Sequence, residues 1–128
     1  MINIAGSEWI IMKELWKKSP QTSRQIIDNI KDKTSWNSKT VHTLISRLCQ
    51  KGAVKAIKQE DSPFYDYYSN IDEKECTIYE TKNFLKKMYS GSLKNLVSTF
   101  VEEGDVSGED ISELRELLEK LEKGKKDV

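Results

Sequence analysis

Apolar side chains recur at helical spacing near the start of the chain, and this spacing predicts the first helix. Trp9, Met12 and Trp16 repeat every three or four residues. The pattern indicates a helix from about Glu8 to Lys17, and Ser7 is the expected N-cap. This helix would bury one apolar face against the helices that follow.

Two further helices are expected before residue 52. The motif Thr22-Ser23-Arg24-Gln25 has the form of a capping box and would start the second helix. The third is predicted from about Ser38 to Lys51, and Gly52 would end it. The expected buried positions of the two helices are Ile26, Ile27, Ile30, Val41, Leu44, Ile45 and Leu48.

The other side of the third helix carries small polar and basic side chains. It lacks the Glu–Lys ladder that is typical of a helix that is merely solvated. Its members are Lys39, Thr43, Ser46 and Gln50, flanked by His42 and Arg47.

A β-hairpin is predicted next, because two β-prone segments surround a turn-rich tip. The segments are Ala53 to Lys58 and Phe64 to Ser69, and the tip between them is acidic at Glu60-Asp61. The basic side chains of the hairpin, Lys55 and Lys58, lie at its base.

Three more helices are expected after the hairpin. Asp72 would cap a helix that reaches about Tyr89, a shorter helix follows Ser92, and Ser107 with Asp110 would cap the last. Six glycines are interpreted as breaks between segments, and the tail from Gly124 is expected to fray. The apolar series of the last two helices favours a dimer interface over an internal core; its residues are Leu93, Leu96, Val97, Phe100, Ile111, Leu114, Leu118 and Leu121.

The order of elements predicts a mainly α protein with a small β-hairpin. Residues 1–70 would form a winged helix-turn-helix domain that binds DNA, and residues 71–128 a helical dimerisation domain. In this plan the third helix enters the major groove. Lys39 and Arg47 can bond phosphates or guanine edges, whereas Thr40 and Thr43 can bond phosphates or touch a thymine methyl.

Charge and composition narrow the class of protein. The 128 residues are 37% hydrophobic and 33% charged, and no apolar run is long enough for a membrane span. Residues 1–70 hold 11 basic and 7 acidic residues, whereas residues 71–128 hold 10 and 14. Neither a secretory signal nor a disulfide framework is visible, which indicates a cytoplasmic protein with free thiols at Cys49 and Cys76.

The residue types in the sequence also disfavour an enzymatic function. The single histidine leaves no Ser-His-Asp set and no two-histidine metal site, and no glycine-rich phosphate loop is present, so no cofactor or metal is expected. A protein-interaction module that uses the same fold remains an alternative. DNA binding would weaken steeply with salt, whereas a protein contact need not.

The chain resembles the penicillinase and methicillin-resistance repressor family over nearly its whole length. The recognition-helix stretch Ser38-Lys39-Thr40-Val41-His42-Thr43-Leu44-Ile45-Ser46-Arg47-Leu48 carries the most specific match. Further matches are Glu8-Trp9 to Leu15-Trp16, Lys51-Gly52, Tyr67-Tyr68-Ser69, Phe84-Leu85 to Tyr89, Ser92-Leu93 to Leu96-Val97 and Ile111 to Arg115.

The resemblance implies a homodimeric repressor that binds a palindromic double-stranded operator of a β-lactamase or resistance operon. It also implies that a membrane sensor-protease relieves repression by cutting the dimerisation domain. By position, the implied DNA contacts are Lys39, Thr40, His42, Thr43 and Arg47, and the implied cut lies between Thr99 and Phe100.

Three features bear on this resemblance. His42 stands where the family usually has arginine, and Thr99 stands where the family has asparagine before the cut bond. A repressor of the same fold that controls an unrelated operon without proteolysis is therefore the alternative. The lack of any cysteine after Cys76 disfavours a related copper-responsive branch, which has a cysteine-rich metal site near its C-terminus.

Overall fold

The computed structural model describes residues 1–126 and confirms the predicted order of three helices, a hairpin and three helices. The chain divides into two compact units, Met1–Thr81 and a second unit that begins at Lys82. The elements are α1 (Glu8–Lys17), α2 (Ser23–Ile30), α3 (Ser38–Lys51), β1 (Val54–Lys58), β2 (Tyr65–Ser69), α4 (Glu73–Tyr89), α5 (Leu93–Glu102) and α6 (Gly108–Lys126). The expected domain boundary at residue 70 stays a prediction.

The core of the first unit forms where the apolar stripes of α1, α2 and α3 meet. Most of the predicted positions are buried there, and Ile27 is packed against the core but only partly buried. Burial of each large aliphatic side chain contributes about 1.5–3 kcal/mol, so this cluster supplies the main stabilisation of the unit. Its residues are Ile4, Ile11, Met12, Leu15, Ile26, Ile30, Val41, Leu44, Ile45, Leu48, Ala53, Val54 and Cys76.

The starts of the helices follow the predicted capping rules, with one exception. Thr22 and Gln25 form the expected capping box of α2, and Ser107 and Asp110 bond each other's backbone N–H at the start of α6. Ser7 was expected to cap α1, but its side chain makes no cap bond. The Glu8 carboxylate accepts a 2.8 Å hydrogen bond from the Ala5 N–H, which lies before the helix, so this bond holds the chain that enters α1 and does not replace the expected cap.

The hairpin is fixed to the helices through Gln21. The backbone of Gln21 exchanges two hydrogen bonds with Tyr67 of β2, at 3.1 and 2.8 Å. Its buried side chain donates to the carbonyls of Glu14 and Lys18 at the end of α1 and accepts from the Asn29 side chain. One glutamine therefore joins α1, α2 and the hairpin.

The start of α4 belongs to the first unit. Cys76 is fully buried, the Trp16 indole N–H donates to the Ile71 carbonyl at 3.0 Å, and Lys13 pairs with Glu73 at 3.1 Å. In the second unit α6 continues through Gly124 to Lys126, so the expected break at Gly124 is wrong. A single glycine costs a helix only about 1 kcal/mol relative to alanine and does not end it. Asp127 and Val128 of the predicted tail lie outside the described residues.

Candidate nucleic-acid interface

The orientation of α3 is fixed by its buried stripe and by both of its ends. The Asn37 side chain caps the first turn by accepting a 2.9 Å hydrogen bond from the Thr40 N–H. Gly52 ends the helix in the left-handed conformation, with φ of 82°, a region that glycine occupies without steric cost. These contacts fix the apolar face of α3 against the core. The opposite, polar face of α3, which we call its outer face, is therefore held in one orientation and exposed to solvent.

The polar side chains predicted for DNA contact share the outer face of α3. Lys39, His42, Thr43 and Arg47 are exposed, whereas Thr40 is half-buried beside them. The Thr43 hydroxyl donates a 2.9 Å bond to the Lys39 carbonyl, so its hydrogen is already used within the helix. Within residues 1–126, neither Lys39 nor Arg47 takes part in an ion pair. Their charges are therefore available to an external anion.

A partly buried ion pair joins the C-terminal end of α3 to the start of α1. Glu8, only 1% exposed, pairs with Lys51, whose ammonium group also donates to the Asn3 carbonyl at 3.0 Å. Burial disfavours the charged carboxylate, but the hydrogen bonds from Lys51 and the Ala5 N–H, with the positive charges of Lys51 and Arg47, outweigh that cost. The pKa of Glu8 therefore lies below its ordinary value. The sequence analysis missed this pair.

The hairpin lies beside α3, and its two lysines lie at different ends of β1. Lys55 lies near the base as expected, but Lys58 is the last residue of the strand and lies next to the tip, so its expected place at the base is wrong. The paired strands place Lys55 opposite Tyr68 and Lys58 opposite Tyr65, and both lysines are exposed. At the tip Glu60 and Asp61 are exposed carboxylates. Positive charge is thus available at the strands of the hairpin and not at its tip.

The residues predicted for dimerisation lie on α5 and α6 of the second unit. None of the side chains described between residues 82 and 125 is buried, and Leu93 and Leu117 remain 61% and 62% exposed. Val97, Val101 and Leu118 line two grooves of about 480 and 290 Å³ in this unit. The two helices therefore line the same grooves and leave much of their apolar surface uncovered.

The predicted cleavage bond lies inside α5. Thr99 and Phe100 are both exposed, and the Thr99 hydroxyl donates to the Asn95 carbonyl at 3.1 Å. A protease binds an extended backbone, so the bond is accessible only after the helix opens locally.

Two other kinds of site are absent from residues 1–126. No helix there combines the length and hydrophobicity of a membrane span. Within the same residues, no cluster of three or more His, Cys, Asp or Glu side chains is placed to hold a metal ion.

A helix-turn-helix with a docked hairpin and an exposed polar third helix is the architecture of winged-helix DNA-binding proteins. Residues 4–120 match the sequence model of the penicillinase repressor family. The chain therefore belongs to the penicillinase repressor family, whose members are transcriptional repressors, and is a DNA-binding repressor of winged-helix type.

Individual relatives agree with this assignment. The methicillin resistance regulatory protein MecI of Staphylococcus aureus strain N315 is 37% identical over 117 residues, which span 91% of this chain and 94% of that protein. The penicillinase repressor of Bacillus licheniformis is 33% identical over 124 residues, or 97% and 95% of the two chains.

The fold of the first part of the chain also matches a solved complex. The solution structure of the monomeric form of Bacillus licheniformis BlaI with the blaP half-operator matches with a TM-score of 0.50 and 33% identity. The match covers 59% of this chain and 90% of that one.

Proposed function

We propose that the chain represses transcription by reading an operator with the outer face of α3. The reading residues are Lys39, Thr40, His42, Thr43 and Arg47. The observation that carries this proposal is the rigidly supported, cationic outer face, since Lys39 and Arg47 form no ion pair within the described residues. The BlaI half-operator complex supports it by fold.

The operator is a palindrome, and the chain binds it as a homodimer. The exposed apolar surface of α5 and α6 supports pairing through the second unit, because a large uncovered apolar patch marks an interaction site. Two copies related by a twofold axis match two inverted half-sites. The regulated genes are those of a β-lactamase or resistance operon, as the names of MecI and the penicillinase repressor suggest.

Repression ends when a membrane sensor-protease cuts the bond between Thr99 and Phe100. A cut in α5 separates the first unit from α6 and its leucines, so affinity falls through loss of the dimer. Co-expression with a matching sensor and a β-lactam tests this step by fragment mass. Thr99→Asn should speed the cut, because the family has asparagine there.

A second candidate function follows from Thr99 itself. A repressor of the same fold without proteolytic control would keep the DNA-binding face and leave this bond intact. Such a repressor would control an unrelated operon, and a signal other than proteolysis would end its repression. An intact chain after induction by a β-lactam would support this alternative.

The chain acts in the cytoplasm as a regulator and not as an enzyme. Its one histidine, His42, lies exposed on the DNA-binding face rather than in a pocket. A salt titration of duplex binding tests the proposed function directly. Affinity should fall steeply as salt rises, since each phosphate contact releases counterions. A salt-independent interaction would indicate a protein-interaction module instead.

A further inference from the structure

The last two turns of α3 carry two cations, and one of them is held by the start of α1. Arg47 and Lys51 are four residues apart, so they are neighbours along one side of the helix. The Lys51 ammonium donates to the Glu8 carboxylate and, at 3.0 Å, to the Asn3 carbonyl. Arg47 forms no ion pair within residues 1–126. The two neighbouring charges therefore differ in their availability to a phosphate.

The segment before α1 keeps Lys51 in this position. Ile4 anchors the segment in the core, and the Ala5 N–H donates to the Glu8 carboxylate at 2.8 Å. Glu8 is 1% exposed, so its carboxylate is fixed by the fold. Two acceptors in fixed positions, the carboxylate of Glu8 and the carbonyl of Asn3, thus hold the Lys51 ammonium.

The negative charge of Glu8 acts on Arg47 as well as on Lys51. Burial disfavours the Glu8 carboxylate, yet the bonds from Lys51 and the Ala5 N–H, with the charges of Lys51 and Arg47, hold its pKa below the ordinary value. Salt screens a buried charge much less than an exposed one. Because the attraction between two charges is mutual, Glu8 offsets part of the positive charge that Arg47 presents to DNA.

We propose that Glu8 is a positioning residue for DNA binding, which acts through Lys51 and Arg47 and lowers the affinity for DNA of any sequence. It keeps the Lys51 ammonium away from phosphates and offsets part of the charge of Arg47. Binding that is independent of sequence depends on the number of phosphates that cations neutralise. Base contacts therefore supply a larger share of the operator affinity. The proposal rests on DNA binding by α3, which is the proposed function.

A purely structural ion pair would affect binding differently. Loss of either partner would then loosen the end of α3, and both losses would weaken binding. The proposed electrostatic role predicts opposite signs. Removal of the Glu8 charge frees a cation, whereas removal of the Lys51 charge leaves the Glu8 carboxylate to act on Arg47 alone.

The test measures binding of the full chain by fluorescence anisotropy to two labelled duplexes of equal length, one enriched for binding and one of random sequence. Glu8→Gln keeps the shape of the side chain and should raise affinity for both duplexes by roughly twofold to fivefold. It should also steepen the slope of log affinity against log salt by up to about one, because Lys51 becomes available to a phosphate.

Glu14→Gln is the matched control for this gain. Glu14 is also a buried carboxyl of α1, and it forms no ion pair within the described part of the chain. The variant changes the net charge equally and should change affinity by less than about twofold, since it frees no cation of α3.

Lys51→Met gives the reciprocal measurement. It should weaken binding to both duplexes by roughly twofold to fivefold and leave the salt slope unchanged, since Lys51 contacts no phosphate in the unmodified chain. The double variant with Glu8→Gln restores the original net charge and should bind like the wild type. Thermal unfolding checks that each variant is folded at the assay temperature. Each single variant tests the proposal by itself, so the loss of one to unfolding leaves the other.

Unchanged or weaker binding by folded Glu8→Gln would overturn the proposal, and so would an equal gain in Glu14→Gln. A salt slope that falls by about one in Lys51→Met would also overturn it, because Lys51 would then contact a phosphate itself. If Lys39→Ala still abolished preference for the enriched duplex, DNA reading by α3 would stand without this role of Glu8. A wild-type chain that binds neither duplex would instead overturn the proposed function itself.

Discussion

Side chains on α3 divide between folding and recognition, although the charge of Arg47 also favours the buried Glu8 carboxylate. Val41, Leu44 and Leu48 are buried in the core, whereas Lys39 and Arg47 project from the outer face without an ion-pair partner in the described part of the chain. Changes on the outer face should therefore affect binding far more than stability.

Replacement of Lys39 or Arg47 by alanine should weaken binding to a selected duplex by about 1–3 kcal/mol if the side chain reaches a base edge. The reason is the loss of a charge-assisted hydrogen bond. Fluorescence anisotropy measures the affinity, and Lys74→Ala, an exposed lysine of α4, is the control. Unchanged affinity in both variants would show that another surface reads the DNA.

The ion pair between the buried Glu8 and the partly exposed Lys51 makes stability depend on pH. Because the pKa of Glu8 is lowered by folding, its contribution is complete above its ordinary value of 4.5 and is lost as pH falls through the lower folded value. Glu8→Gln should cost about 1–3 kcal/mol of unfolding free energy at pH 7. Urea unfolding should show this cost shrinking as the pH falls below about 4.5. Glu60→Gln, at an exposed carboxylate, should show little change at any pH.

The residues that sequence reasoning missed are polar groups buried by distant partners. Glu8 was expected only as the first residue of α1, and no role was expected for Gln21. Glu8 pairs with Lys51, which is 43 residues further along the chain. Gln21 pairs with Tyr67, which is 46 residues further along. The periodicity of apolar residues indicates which face of a helix or strand is buried. It does not indicate which polar side chains from distant parts of the chain form a hydrogen bond or an ion pair.

At the scale of elements, local rules account for most of the fold. The apolar periods of α1, α2 and α3 and the two β-prone segments predicted elements that the structure confirms, because each pattern matches the geometry of one element. Gly124 was wrongly interpreted as a break, since the helix-forming residues before it extend α6 across it. Asn37 was not recognised as the cap of α3, although its position before Ser38 offered that signal.

The cap of α3 links helix stability to recognition. Asn37→Ala removes the acceptor for the Thr40 N–H and should cost about 1 kcal/mol of unfolding free energy. Fraying of the first turn should also weaken duplex binding, since Lys39 and Thr40 lie in that turn. Thermal unfolding and anisotropy measure the two effects. Asn37→Ser should preserve both, and a Ser variant as impaired as the Ala variant would mean that the Asn37 amide itself contacts DNA.

At the scale of the whole molecule, the two units differ in how they bury apolar surface. The first has a closed core, whereas the second has no buried side chain between residues 82 and 125. Helices with this much exposed apolar surface are stabilised by association, so a second copy is the expected partner. The sequence predicted this apolar series, but its pairing in a dimer stays a prediction.

Disruption of the apolar face of α6 should separate the dimer. Leu114→Glu combined with Leu121→Glu should shift sedimentation at micromolar concentration from dimer to monomer, because it places charge in the interface. Lys120→Glu changes the net charge equally on the polar side of α6 and should leave the dimer intact. A wild-type chain that sediments as a monomer would contradict the assignment.

Selection of duplexes from a random library by the full chain, followed by sequencing, tests the central claim most directly. If α3 reads bases and the second unit pairs two copies, the enriched duplexes should contain two inverted half-sites. Their centres should lie about one helical turn, or a multiple of it, apart, near 10–10.5 base pairs per turn. A library that shows no enriched sequence, or one enriched only for single half-sites, would contradict the account.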